Sequence, residues 1–338
     1  MRRLPELVTD ARAQRAHNAA LDKGFPLHIG DVAYSDRVAI YLIYQKGDLP
    51  ESIIETCSHF RSKGYAPFVI SNAPLAPHDI ERLKPVTWRT MERPNFGYDF
   101  GGYRDGVLCL RTWNIDPEYL CILNDSVWFP IYDTETLIET CETRTDGVSG
   151  PILTDRGEVR FLESYFYMIP RDVWHHRAFT DFWANLRLTS NKYVVIRRGE
   201  RRFSEVMERE GIPLYPAYHF SDFLSAIEDQ DDFFLREMLR LGRLTNGSLD
   251  KRRIALAEAE GASWRTDAMQ LVHETVPATH PYVSYPYAMS KLMQYPILKK
   301  SGDWGSRQWR RAMSEAWRTG KLAPPKDVVL SELDDFPV

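Results

Sequence analysis

Two stretches decide the fold: Asn95-Phe-Gly-Tyr-Asp-Phe-Gly-Gly-Tyr-Arg-Asp-Gly106 and Tyr119-Leu-Cys-Ile-Leu-Asn-Asp-Ser-Val127. The first is a glycine-punctuated loop running into a helix. The second is an apolar strand ending on Asn124-Asp125-Ser126. Open α/β sheets place ligands beyond the carboxyl ends of buried strands, which is where Asp125 falls. A loop that opens a helix presents free backbone N–H groups and suits a phosphate-bearing ligand. Four glycines, Gly97, Gly101, Gly102 and Gly106, allow close backbone approach and positive φ. The pattern is not G-x-G-x-x-G, and no Gly-Lys-Ser/Thr follows, so dinucleotide-fingerprint and P-loop readings fail. Asp99 and Asp105 can meet a ribose or base, and Arg104 a phosphate. The competing reading is a capped helix N-terminus.

Outward from these stretches, Arg37–Tyr44 is a short apolar β-rich strand, and Asp48 is a candidate N-cap for a helix ending at Lys63-Gly64. Ala66–Ser71 is a second strand. A short helix at Pro77–Leu83, a strand at Val86–Met91 and a helix at Phe100–Trp113 follow. Repeated βαβα with short connections predicts an α/β fold, a mainly parallel sheet flanked by helices. Strands are expected at 146–153 and 161–169, and helices at 171–185 and 200–210. Residues 1–30 read as a helical appendage, 31–220 as the catalytic core, and 221–338 as a mainly helical extension contributing to the acceptor side. Asn246-Gly-Ser reads as mobile, and the acidic tail after Pro324 as frayed.

Composition bounds the function. The 338 residues are 43% hydrophobic and 27% charged, so a packed core is expected. A net charge of -4 asks for no nucleic-acid partner. No apolar run is long enough to span a bilayer, and the first residues have no apolar signal core. Cys57, Cys109, Cys121 and Cys141 lack C-x-x-C spacing, which argues for reduced, buried thiols and a cytoplasmic protein. The histidines show no metal-ligand spacing, and no G-x-S-x-G elbow exists.

Three further segments can carry chemistry. A departing diphosphate needs a divalent cation or equivalent charge, often held by a strand-end D-x-D. Asn124-Asp125-Ser126 offers one carboxylate with two neutral oxygens, enough to hold Mg²⁺ or Mn²⁺ weakly; it also reads as an Asx-turn. In Arg197-Arg-Gly-Glu-Arg-Arg202, one acid among four arginines suits a base beside a diphosphate, or simply a solvated helix start. Arg307–Arg318, with Trp309 and Trp317, can touch a membrane surface or pack on the body.

Taken in order, several stretches resemble the rhamnan synthesis protein F family of bacterial polysaccharide glycosyltransferases. They are Asn95–Tyr103, Leu123–Val127, Gly147–Pro151, Leu162–Phe166, Phe182-Trp183, Gly199-Glu200, Thr279-His-Pro281 and Tyr295–Lys300. The resemblance spans about residues 37–302 and implies a GT-A-like fold that binds a nucleotide sugar and inverts its anomeric carbon. It places Asn95 and Gly97 in the donor loop; Asp99, Gly101, Arg104, Asn124 and Ser126, from the residue reading above, are the further candidate donor-binding residues. Asp125 falls in the D-x-D region as the metal ligand. Glu200 corresponds to the class's acidic catalytic motif, and Glu163 is a second candidate base. The implied donor is dTDP-L-rhamnose and the implied acceptor a lipid-linked or oligosaccharide glycan, worked on at the cytoplasmic face of the inner membrane. The rivals are a UDP-hexose or galactofuranose donor on the same fold, and a non-catalytic glycan-binding subunit.

Overall fold

Val38-Ala-Ile-Tyr-Leu-Ile43 is apolar at every position, so both of its faces must be covered. In the computed structural model, which describes residues 4–157, 159–334 and 336, none of these six is more than 2% exposed. The strands are β1 (Leu27–Ile29), β2 (Arg37–Ile43), β3 (Ala66–Ser71), β4 (Arg89–Glu92), β5 (Tyr119–Asn124), β6 (Val127–Trp128), β7 (Val148–Gly150), β8 (Leu153–Arg156), β9 (Val159–Leu162), β10 (Phe166–Pro170), β11 (Leu214–Pro216) and β12 (Leu298–Lys299). Eight form one sheet, in the order β1-β4-β3-β2-β5-β10-β7-β11. Its centre, β4-β3-β2-β5, is parallel, while β1 and β10 run antiparallel to their neighbours. The expected α/β architecture, a mainly parallel sheet flanked by helices with further helices in the C-terminal part, is the one found.

The chain forms two compact units. The first holds the described residues up to Asp125 and Leu137–Ala217, including the eight-stranded sheet. The second takes Ser126–Thr136 and the described residues from Tyr218 onward. In the second unit β6 pairs with β12, and Tyr282 stacks on Tyr295 with ring centroids 5.4 Å apart. There the helix Trp304–Arg318 buries Trp309 and Trp317 against its own unit. Among the described residues no helix is long and apolar enough to cross a membrane.

Several boundaries move for local reasons. The strand expected at 146–153 is split into β7 and β8 around Pro151, whose ring removes a ladder donor. The one expected at 161–169 becomes β9 and β10, parted by the turn at 163–165. His176 breaks the expected helix 171–185 and caps its second half, its Nδ1 accepting from Ala178 N at 3.1 Å. Asp48 caps no helix; Pro50 takes the N-cap position of Glu51–Ser62. Asn246, in the stretch read as mobile, caps Gly247–Glu258 through Ser248 N and Leu249 N. The tail forms a helix, Asp327–Leu333, anchored by buried Val329 and Leu333. The expectations for residues 1–3 and for the last two residues lie outside the described residues.

The glycine helix, Tyr98–Thr112, lies against the sheet at unusually short range. A Cβ on Gly102 would stand 2.1 Å from Leu42 Cδ1, and one on Gly106 2.5 Å from Ile70 Cδ1. These two glycines therefore serve helix–sheet packing. Beneath the same helix Asp105 is wholly buried. Its Oδ2 accepts from Arg93 Nε at 2.6 Å and His17 Nε2 at 2.7 Å, and its Oδ1 lies 3.3 Å from Arg104 Nη1. Arg93 also donates to Phe96 O at 2.6 Å and to Asn72 Oδ1. Removing one partner of a buried ion pair strands the other charge, at a cost of about 3–5 kcal/mol. Asp105→Ala is therefore expected to lower unfolding free energy by about that amount, read from the urea midpoint at unchanged m-value.

Candidate functional site

The parallel strands β2, β3, β4 and β5 all end at one edge of the sheet, and successive connections leave β2 and β5 in opposite directions. That divergence is the topological switch point at which α/β sheets open a crevice. A cleft of about 300 Å³ lies there, lined by Tyr44, Asn72, Asn95, Tyr98, Asp99, Phe100, Asp125, Ser164, Lys192, Val195, Ile196 and Glu200. Tyr44 and Asn72 directly follow the ends of β2 and β3, and Asp125 follows the end of β5.

Asp125 knots two strand ends together. Its Oδ2 accepts from Tyr44 N at 2.8 Å and Gln45 Nε2 at 2.7 Å, and its own N–H donates to Leu42 O at 3.0 Å. Asn124, buried, points Nδ2 towards Asp99 Oδ2 at 3.4 Å. Ser126 opens the second unit, where its carbonyl accepts from Lys300 N at 2.8 Å.

The loop before the helix supplies the next wall. Gly97 (φ 83°) and Tyr98 (φ 52°) are both left-handed, which glycine adopts freely and tyrosine does not. Tyr98 is held there by its hydroxyl on Ser190 O at 3.0 Å and its carbonyl under Asn72 Nδ2 at 3.4 Å. Asn95 Oδ1 is buried and accepts no hydrogen bond among the described residues. Such an acceptor is costly unless a ligand serves it. Much of Asp99's surface meets solvent, yet its carboxylate stands in the cleft wall with protein packed around it. That desolvation, then the charge of Asp125, pushes its pKa up to about 6 against the pull of Lys192. Asp99 and Asp125 are thus two electrostatically coupled carboxylates of one cleft. Three side chains close enough together to share a metal ion, Asp48, His78 and Asp79, lie outside the cleft lining and include neither Asp99 nor Asp125.

Glu200 arrives from a helical segment that begins at Lys192, earlier than the sequence suggested. It comprises Lys192–Ile196, a π-helical turn at Arg197–Arg201, and Arg202–Arg209. Glu200 Oε1 accepts from Ser164 N at 3.0 Å. Gly199 sits on the Phe100 ring, where an added Cβ would lie 2.3 Å from Cγ. Phe100 in turn stacks on Trp183 at 5.9 Å. The wide turn thus rests on an aromatic platform that fixes where Glu200 points.

Of the residues singled out in the sequence, the cleft gathers Asn95, Asp99, Asp125 and Glu200. Glu163 is buried beside Thr154, its Oε1 3.4 Å from the Thr154 hydroxyl, and is not among the lining residues. Arg104 is buried against Asp105, and a Cβ on Gly101 would meet Phe96 O at 2.1 Å. Neither lines the cleft. Asn72 was legible as the residue just past Ala66–Ser71, whereas Tyr44 read as the last residue of its strand and instead follows it. Lys192 and Ser164 carried no such signal, because they come from segments placed by packing.

Residues 68–229 match the family model for rhamnan synthesis protein F. This is a shorter span than the motifs suggested, and it leaves Thr279-His-Pro281 and Tyr295–Lys300 outside. An uncharacterized protein y4gN of Sinorhizobium fredii is 34% identical over 205 residues, 60% of this chain and 54% of that protein. The chain thus spans about half the length of that relative. Among solved structures, the galactosyltransferase LgtC with donor and acceptor sugar analogs is 12% identical, over 84% of this chain and 100% of that one, at a TM-score of 0.35. The mannosyltransferase PcManGT from Pyrobaculum calidifontis with GDP-Man and Mn²⁺ is 10% identical, over 94% and 84%, at 0.34. Likeness at these scores carries no functional argument.

Gly199→Ala is expected to push the π turn off Phe100, costing about 1–3 kcal/mol of stability as overpacking does. Thermal denaturation measures that loss, and a crystal structure of the variant should find Glu200 displaced from Ser164 N.

Proposed function

We propose that the cleft binds a nucleoside-diphosphate sugar and that the chain is a glycosyltransferase passing that sugar to a glycan hydroxyl. The observation that carries the reading is one cleft holding Asp99, Asp125, Lys192 and Glu200 at the carboxyl ends of β2 and β5. The match to a rhamnan synthesis family supports a glycosyltransferase; dTDP-L-rhamnose as donor, inversion at the anomeric carbon, and a lipid-linked or oligosaccharide acceptor are the finer parts of the proposal. The fold it implies is GT-A-like, acting at the cytoplasmic membrane face.

In this reading Glu200, steadied by Ser164 N, takes the proton from the acceptor hydroxyl. That oxygen forms its bond to the anomeric carbon from the face opposite the diphosphate, whose C–O bond breaks with the electron pair leaving on phosphate. Lys192 places positive charge where this negative charge develops. Asn95 Oδ1 accepts from a ribose hydroxyl or base N–H. A Mg²⁺ or Mn²⁺ held by Asp125 and Asp99 would add charge stabilisation for the leaving diphosphate. Asp99 supplies the second carboxylate that Asn124-Asp125-Ser126 lacks, which weighs against a non-catalytic glycan-binding subunit. Glu163, outside the cleft lining, is the weaker candidate base.

Glu200→Gln is expected to cut sugar transfer by about 10²–10⁴-fold while leaving donor binding intact. Glu163→Gln should stay near wild-type. The reverse pattern, in a coupled nucleotide-release assay, overturns the assignment of Glu200. Thermal shift with dTDP, dTDP-rhamnose and UDP-sugars should show stabilisation by a donor; no shift with any nucleotide overturns the reading.

Asp99 gives the pH dependence. Its folded-state pKa, about 6, lies above the ordinary carboxylate value, so the folded protein keeps this proton longer than the unfolded chain does. The stability it contributes is therefore full in acid and falls as pH rises to about 6. A cation competes with the same proton. Mn²⁺ affinity, followed by titration calorimetry, should rise up to about pH 6 and then level off, and Asp99→Asn should flatten the profile.

A further inference from the structure

A second cavity of the first unit is larger than the cleft. It is a groove of about 640 Å³ between the helices Arg177–Asn185 and Arg202–Arg209, within the size range of small-molecule sites, roughly 300–1,000 Å³. Its floor is apolar: Ala178, Phe182, Leu186 and Val206. Five arginines, Arg177, Arg187, Arg198, Arg202 and Arg209, line it, against two acids, Asp181 and Glu210.

The arginine-rich stretch Arg197–Arg202 divides between the two cavities. Glu200 lines the cleft with Lys192, Val195 and Ile196. Arg198 and Arg202 line the groove with Val206 and Arg209. The spacing 198, 202, 206, 209 puts these four on one helical face. One helical segment is thus the partition between the cleft and a basic groove.

We infer that this groove binds a single anionic amphiphile, a phosphate head on an aliphatic chain. Guanidinium groups match phosphate oxygens in paired hydrogen bonds. Arg177, Arg202 and Arg209 pair with Asp181, Glu205 and Glu210, but all these pairs stand in solvent at the surface. Exposed pairs hold weakly and leave further N–H donors on each guanidinium. The apolar part is a recessed floor, with Phe182 only 8% exposed and Leu186 6%. A chain can lie in such a floor, whereas a bilayer surface needs apolar side chains that project.

Isothermal titration of the full chain with monomeric decyl phosphate, inorganic phosphate and decyl maltoside tests this. Decyl phosphate should bind saturably with one site, at least tenfold tighter than inorganic phosphate, and decyl maltoside should not bind. Arg187→Gln with Arg209→Gln, both exposed positions, should weaken decyl phosphate at least fivefold. Val206→Asp should erase its advantage over inorganic phosphate, and Glu200→Gln should change nothing. Equal binding of decyl maltoside, equal binding of inorganic phosphate, or insensitivity to the arginine changes would each overturn the inference. Flotation with phosphatidylglycerol vesicles, without binding of monomeric decyl phosphate, would replace it with a bilayer contact.

Discussion

The buried carboxylate of Asp105 against Arg93 is the constraint on which the site depends. A charge without solvent is tolerated only when every partner is in place. Asp105 meets that condition from the glycine helix, His17 from the N-terminal helix, and Arg93 from the end of β4. The remaining Arg93 donors reach Phe96 O and Asn72 Oδ1. The loop that carries Asn95 and leads into the first turn bearing Asp99 is therefore bent around a guanidinium. Gly101 leaves room for that bend, since a Cβ there would strike the Phe96 carbonyl.

On this base the cleft is assembled from two kinds of parts. The strand ends supply Tyr44, Asn72 and Asp125, held in register by the parallel ladder and by the hydrogen bonds of Asp125 to Tyr44 N and Gln45. The helical segment from Lys192 supplies the cation and Glu200, and its position is set by packing of Gly199 on Phe100 and Phe100 on Trp183. The first set is rigid because it is backbone-bonded. The second rests on an aromatic platform, and its outer face lines the arginine groove. Groove and cleft thus share one helical segment, with Arg198 and Arg202 on the groove side and Glu200, held by Ser164 N, on the cleft side.

The sequence by itself determined the parallel strands, because an all-apolar run such as Val38–Ile43 has no soluble alternative to burial on both faces. It also placed Asp125 at a strand end and marked Asn95, Asp99 and Glu200 as residues of interest. Tertiary structure decided the rest. Gly101, Gly102 and Gly106 read as part of a ligand cradle, but Gly101 answers to the Phe96 carbonyl just before the helix, and Gly102 and Gly106 to Leu42 and Ile70 on neighbouring strands. Arg104 read as a phosphate ligand and is buried beside Asp105. Glu200 read as the base with Glu163 as a second candidate; the turn at 163–165 and the π turn determine which one lines the cleft. Spacing along a chain reports which face of a strand or helix a residue occupies. It does not report which distant side chain fills the space opposite, and that packing decides what each acid and each arginine can touch.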